Sequence, residues 1–453
     1  VNRDSLLDYR FAWRWLLPLV RNERLYLVGF DKKEENFWQK VLKNVTITQD
    51  NREATFILVQ GAIPPENFNG MQYLSGCAVV ADGKVARKWI EWARNLFPAV
   101  KIYALIPPEN PRIVVPLNNS NEIREGLALH RPGRRLARIV VFLLKMLVDI
   151  GISAPLKRRV LLIAHKNRRM PIGAVAAGLS TNISGCEYAL YFGTPDDNRK
   201  TVALVMGKER SFVVKSGDSL RSLAALKNEA AALECLAESG LSARVPQLLD
   251  YREKDGHAVL RQGYGIRKRT AAWRIERAVE EFLCNLSYID RQERTLKEVL
   301  KQEVAIGGID KYRACSSVHR LLGYLDRLAD EGKVLYGHRG HGDFAPWNRV
   351  WTRSGLLVFD WEASQPWDLA LVDAFYYRIA PVLHIRGKKK RLFHIHRDAL
   401  SMWERVAVRA DLPVRDGEVY WVLWLLRQLG LSSHRLYRDL LEEVAMSWKP
   451  LNG

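Results

Sequence analysis

The chain has 453 residues, 48% hydrophobic and 26% charged, a balance that excludes a disordered polypeptide and, at this length, a single ordinary core; two or three domains are expected. Its formal charge of +20 keeps nucleic acid, anionic lipid and acidic substrates in view as partners. The five cysteines, Cys77, Cys186, Cys235, Cys284 and Cys315, are odd in number and form no Cys-x-x-Cys pair, so neither a disulfide framework nor a zinc site is expected, and a reducing cytoplasm is the default setting.

No apolar run approaches the length of a bilayer span. The first residue is Val1 rather than Met, which leaves an upstream targeting segment open. From Leu25 to Asn118, short β-rich runs alternate with helical patterns. Strands are expected at Leu25 to Phe30, Val45 to Thr48, Thr55 to Gln60, Cys77 to Ala81 and Lys101 to Ile106, with a crossover helix over Lys84 to Leu96. This rhythm predicts a parallel, Rossmann-like α/β domain over residues 1–125. The turn after its first strand offers only Gly29 and then Phe-Asp-Lys-Lys, whereas a dinucleotide or adenosyl cofactor usually needs several glycines there. A structural or binding role is therefore favoured over a working cofactor site.

Residues 126–169 read as a basic connecting segment. Eleven Lys or Arg and one acid, Asp149, fall between Arg131 and Arg169. Arg138, Lys145 and Asp149 share one face of a helical pattern whose other positions, from Ile139 to Ile152, are mostly apolar. Two readings stay open: a buried helix between domains, or an interfacial helix drawn to anionic lipid by its basic flanks.

A second fold is expected from Met170. Glu187 to Gly193, Thr201 to Gly207 and Ser211 to Lys215 read as three strands, with Thr-Pro-Asp-Asp-Asn-Arg-Lys between the first two and Lys215 at the end of the third. Ser219 is placed to N-cap a helix that Gly240 stops. Leu226, Ala230, Leu233 and Leu236 or Ala237 mark the buried stripe of that helix, and Glu229 lies within it. An inward carboxylate needs a cation, and Lys215 is the natural partner; the plainer reading puts Glu229 at the stripe's edge, in water. Val245 to Asp250 and Ala258 to Arg261 continue the strands. After Gln262-Gly-Tyr-Gly265, residues 278–331 are helical in pattern, and Arg261 to Arg277 is a basic run of the kind that is usually a solvated face.

The most specific stretch runs from His341 to Glu362: His-Gly-Asp-Phe-Ala-Pro-Trp-Asn, an apolar strand, then Phe-Asp-Trp-Glu. Asp343, Asn348 and Asp360 supply what ATP-dependent transfer to a hydroxyl requires. One carboxylate takes or orients the acceptor proton, while an amide and a second carboxylate hold Mg²⁺ against the phosphates. Glu362 either joins the metal shell or fixes neighbouring groups. Asp368 is expected to cap the next helix. Trp347, Trp361 and Trp367 are read as core rather than as platforms for a sugar or cation. Beyond Asp373 the pattern is helical, with Val419 to Leu426 as core and a second basic run from Arg386 to Arg397.

On His341-Gly-Asp343, Asn348 and the Asp360-Trp-Glu362 segment, the sequence resembles the aminoglycoside phosphotransferase and choline kinase group of kinase-like enzymes. The resemblance covers roughly residues 170–430. It implies a bilobal, protein-kinase-like α+β fold with a small β-rich lobe over 170–265 and a helical large lobe over 266–453. It further implies ATP and Mg²⁺ as cofactors, Asp343 as catalytic base, Asn348 and Asp360 as metal ligands, Lys215 on the α and β phosphates, and Glu229 orienting Lys215. His341 would support the turn, and Gln262 to Gly265 would be the hinge beside adenine. The expected partner is a small-molecule or saccharide acceptor, with peripheral contact to an anionic membrane as an addition and no specific nucleic acid. The rival expectation is a catalytically idle kinase-like scaffold on an anionic surface.

Overall fold

In the computed structural model the described residues are 10–18, 23–42, 45–68, 71, 73–129, 135–166, 186–193, 196–207, 210–307, 316–384, 392–432 and 434–447. Met170, Cys315 and the basic residues 386–391 lie outside them. The chain forms two compact units. The first comprises Val1–Pro132, Leu136–Leu226 and Leu249–Tyr264; the second comprises Gly133–Arg135, Lys227–Leu248 and Gly265–Gly453.

The first unit opens with the expected alternation: β1 (Arg24–Val28), α1 (Lys32–Val41), β2 (Thr46–Thr48), β3 (Phe56–Gln60), β4 (Gly76–Asp82), α2 (Gly83–Leu96) and β5 (Ala99–Ile106). Strands β2, β1, β3 and β4 lie side by side in parallel. The turn after β1 explains its single glycine. Gly29 has φ of +81°, and a Cβ there would stand 2.0 Å from the Gln60 carbonyl oxygen, so the residue serves a close backbone approach. The following helix end is closed by its own carboxylate: Asp31 accepts from the backbone N–H of Lys33 and Glu34, both at 2.9 Å, and Glu34 accepts from Asp31 in return. The donors that would receive a cofactor phosphate are thus engaged within the chain.

Next come β6 (Ile113–Pro116), α3 (Ser120–Ala128), α4 (Arg135–Asp149), β7 (Arg159–His165), β8 (Glu187–Phe192), β9 (Thr201–Met206) and β10 (Ser211–Gly217). They are followed by α5 (Leu220–Ala237), β11 (Leu248–Lys254) and β12 (His257–Gly263). Two expectations change here. Residues 126–169 are more than a connection, because β7 inserts between β4 and β5, antiparallel to both. The α/β part and the small lobe are also not separate sheets. β6 pairs with β8, and one twelve-stranded sheet runs β11-β12-β10-β9-β8-β6-β5-β7-β4-β3-β1-β2.

The burial pattern gives the reason. Alternate residues of β7 enter opposite cores, with Leu161 and Ile163 on one face and Val160, Leu162 and Ala164 on the other. The first of these cores continues without a break from Trp38 and Phe56 through Tyr188, Val205 and Val214. A boundary at 125–170 would have exposed both faces of that strand to water. Helix α4 differs from the buried-helix expectation. Val148 is buried and Leu144 packs beside it against Ile123 and Leu127, but most other side chains described on it are exposed.

Helix α5 passes from the first unit into the second, starting where Ser219 Oγ accepts from Ser222 N at 3.1 Å. The boundary between units falls again at Tyr264 and Gly265, inside the expected hinge. The second unit contains α6 (Ala272–Leu286), β13 (Gln292–Thr295), α7 (Leu296–Gly307), α8 (Ser316–Asp330), β14 (Val334–Gly340), β15 (Arg349–Thr352), β16 (Gly355–Val358) and β17 (Gln365–Leu369). Helices α9 (Val372–His384), α10 (Leu392–Arg409), α11 (Gly417–Leu431) and α12 (Arg435–Ser447) complete it. Its core includes Phe375, Trp403, Trp421 and Trp424, and all of Val419 to Leu426 is buried. Among the described residues, no helix is long and apolar enough to cross a membrane.

Candidate active site

The loop that holds Asp343 leaves β14 and turns at Gly342, where φ is +79° and a Cβ would lie 2.2 Å from the Ala363 carbonyl oxygen. Only glycine meets both demands. Gly342→Ala is expected to cost about 2 kcal/mol or more through left-handed strain and overlap, read as a lowered urea midpoint with an unchanged slope. Buried Asp373, at the start of α9, staples the turn by accepting from His341 N at 2.7 Å and Gly342 N at 3.2 Å. Burial and the nearby Asp368 push the Asp373 carboxyl up to about 7, against the pull of those two donors.

His341 is fully buried and supports the loop. Its Nε2 lies 3.1 Å from Phe359 O, and its Nδ1 accepts from Asp343 N at 3.3 Å, so the neutral tautomer protonated at Nε2 satisfies both. The Trp361 ring sits 4.5 Å from the imidazole. His338 is also structural: Nε2 accepts from Leu371 N at 2.8 Å, and burial holds the ring neutral, with its pKa lowered to about 4.

These contacts present Asp343. Asn348 Nδ2 donates to both the backbone oxygen and Oδ2 of Asp343, each at 2.8 Å, leaving Asn348 Oδ1 as the atom suited to a cation. Burial pushes the Asp343 carboxyl up to about 6; hydrogen bonds from Tyr376 and Asn348 pull it down, and the charge of Asp360 pushes it up. The hairpin of β15 and β16 returns the chain to Asp360, with Phe359 N donating to Asn348 O at 3.0 Å. Asp360 sits in the left-handed region, φ +72° and ψ +59°, which aspartate tolerates better than most residues.

Glu229 arrives from α5. Beside it, Asn228 Nδ2 donates to the carbonyl oxygens of Glu362 and Ser364, both at 2.8 Å, which ties the helix to the Asp360 segment. Ligand oxygens of Glu229, Asp360 and Glu362 all lie within 4.8 Å of one another. Three convergent carboxylates are hard oxygen donors of the kind that suits Mg²⁺. The donor set fits that ion.

The second unit thus brings together Asp343, Asn348, Asp360 and Glu229, and adds Glu362, which the sequence left undecided. Lys215 belongs to the first unit, on β10 opposite Leu260 and Val202, and is 7% exposed. That burial removes the reading of a solvated strand-end lysine. Asp368 is a correction: it caps no helix but accepts from Leu369 N at 2.7 Å and forms a buried ion pair with Arg427. Sequence reasoning missed Asp373 and Tyr376. The acid in the first turn of α9 was visible, but nothing local linked it to a loop thirty residues earlier. Of the three tryptophans, Trp361 is core, while Trp347 is half-buried beside His384 and Trp367 packs under the Arg294 guanidinium.

The loop thus holds one carboxylate beside a cluster of three others. Residues 195–371 match the family model described as "Phosphotransferase enzyme family", and that segment holds Lys215, Glu229, Asp343, Asn348 and Asp360. The match covers less than half of the chain and includes the stretch on which the sequence resemblance rested. Among solved structures the chain is similar to aminoglycoside phosphotransferase APH(4)-Ia, at 12% identity over 57% of this chain and 94% of that one, with a TM-score of 0.41. It is also similar to amicoumacin kinase hAmiN, at 13% identity over 56% and 87% with a TM-score of 0.39. A microcompartment-associated aminopropanol kinase matches at 13% identity over 58% and 90%, TM-score 0.35. No curated protein sequence matches the chain.

Proposed function

We propose that this chain transfers the γ-phosphoryl group of ATP to a hydroxyl of a small molecule or saccharide. The observation that carries the reading is the juxtaposition of Asp343, held by Asn348 and Tyr376, with the Asp360, Glu229 and Glu362 carboxylates inside a phosphotransferase segment. Asp343 receives the proton of the acceptor hydroxyl as its oxygen bonds to the γ-phosphorus and the bond to ADP breaks. Asn348 keeps the Asp343 carboxylate turned toward the acceptor. Asp360 and Asn348 would hold Mg²⁺, which would supply neutralisation of phosphate charge. Lys215 is the residue proposed for the α and β phosphates, and Glu229 contributes to the carboxylate cluster. The expected adenine position is beside Gln262 to Gly265.

A ring-shaped acceptor is supported by the surroundings of Asp343. Tyr376, which donates to it, lies 3.4 Å from His384 Nε2, and the Trp347 ring stands 5.6 Å from the His384 ring. Indole and phenol faces suit a sugar. Thermal melting with Mg²⁺-ATP should raise the midpoint, because a ligand that binds only the native state stabilises it. ATP consumption with a panel of sugars and amino alcohols then identifies the acceptor. Lys215→Met is expected to raise the KM for ATP about tenfold to a hundredfold, the worth of one charge-assisted hydrogen bond to phosphate. No ATP-dependent shift, together with no turnover on any alcohol, would remove the proposal.

A further inference from the structure

Helix α4 carries six large apolar side chains, Ile139, Val140, Phe142, Leu143, Met146 and Ile150, that are each 50–70% exposed. Ile139, Leu143, Met146 and Ile150 recur at helical spacing and share one face, and the helix continues through Ile150, whose N–H reaches Met146 O at 3.2 Å. The opposite side anchors the helix through Val148 and Leu144. A contiguous exposed apolar face of this kind marks an interaction surface.

We infer that this face docks the protein on an anionic lipid bilayer, with α4 lying in the plane of the interface. The charge around it selects that occupant. The stretch from Arg131 to Arg169 holds eleven basic residues and one acid, and that acid, Asp149, is neutralised in an ion pair with Arg124. Lys157 and Arg158, which follow the helix in the chain, are both exposed. A second copy of this chain would bring the same cations against themselves at a net charge of +20, whereas anionic headgroups attract them. The helix has 15 residues, about 22 Å at 1.5 Å per residue, too short to span a hydrocarbon core of about 30 Å. It can therefore lie on a bilayer but not cross one.

Flotation of the full chain with vesicles of mixed phosphatidylglycerol and phosphatidylcholine tests this. Wild type is expected to float with the anionic vesicles at low salt and to stay at the bottom with phosphatidylcholine alone. Phe142→Glu/Ile150→Glu should lower the bound fraction about tenfold or more, since the apolar face supplies the insertion. Lys157→Glu/Arg158→Glu should lower it and flatten its salt dependence. Neither pair belongs to the proposed active site, so melting and ATP turnover without lipid should match wild type. Should the glutamate pair fail to fold, Phe142→Cys carrying a polarity-sensitive dye decides: its emission should shift to the blue on adding anionic vesicles. Equal flotation of wild type and the glutamate pair overturns the inference, as does flotation without a dye shift. Absence of flotation at low salt overturns it too, and if the chain then sediments as a dimer that the glutamate pair dissociates, a second copy is the occupant.

Discussion

Asp343→Asn is expected to lower kcat by about 10²- to 10⁴-fold, the usual worth of a positioned general base, while leaving the Mg²⁺-ATP thermal shift in place. The same substitution should stabilise the nucleotide- and metal-free protein at neutral pH. The Asp343 carboxyl is raised by burial to about 6 in the folded chain, against about 3.9 for a free aspartate. The folded state therefore binds this proton more tightly than the unfolded state. The stability it confers is fully present below about pH 4 and is lost as pH rises through about 6. Asparagine carries no such loss. Above pH 7 the variant should be more stable than wild type by roughly 2–3 kcal/mol, the two curves converging below about pH 4. Urea melts across that range in EDTA check the sign. A variant that loses activity and is destabilised at every pH would assign Asp343 to holding the loop rather than to chemistry.

The candidate site could be proposed from the sequence because Asp343, Asn348 and Asp360 are spaced along one short loop and hairpin, so that local geometry fixes their relation. Their supports were not legible in the same way. Asp373 reaches back about thirty residues to His341 and Gly342, and Asn228 spans 134 residues to Glu362. No periodicity encodes such pairings. The same limit applies to the fold. The strands β1, β3, β4 and β5 could be read from their apolar runs and turn residues. β7 was absorbed into a basic segment because its apolar run, Val160 to Ala164, is bracketed by Arg158 and Arg159 before it and Lys166, Arg168 and Arg169 after it. Joining of the α/β part to the small lobe depends on β6 meeting β8, a pairing across some seventy residues that no local pattern encodes.

The largest stability effect is expected at Arg427. Its guanidinium Nε donates to Glu303 at 2.8 and 3.0 Å, and a further nitrogen pairs with Asp368. Glu303 is fully buried and Asp368 nearly so. Arg427→Met would leave two carboxylates without their cation inside the core, and breaking a buried pair in this way costs about 3–5 kcal/mol. The damage should reach the active site, because a Cβ on Gly340 would already stand 2.7 Å from Asp368 Oδ2, so the carboxylate that would swing free packs directly against the strand end feeding the catalytic loop. Removing all three charges together, as Arg427→Met/Glu303→Leu/Asp368→Asn, eliminates the stranded carboxylates. It is expected to recover most of the lost stability, since buried ion clusters are often replaceable by apolar packing. Denaturant melts of the single and triple variants, with kcat on the same preparations, separate two roles. If the triple variant recovers stability without turnover, the cluster sets the position of the loop. If it recovers both, the cluster only balances charge.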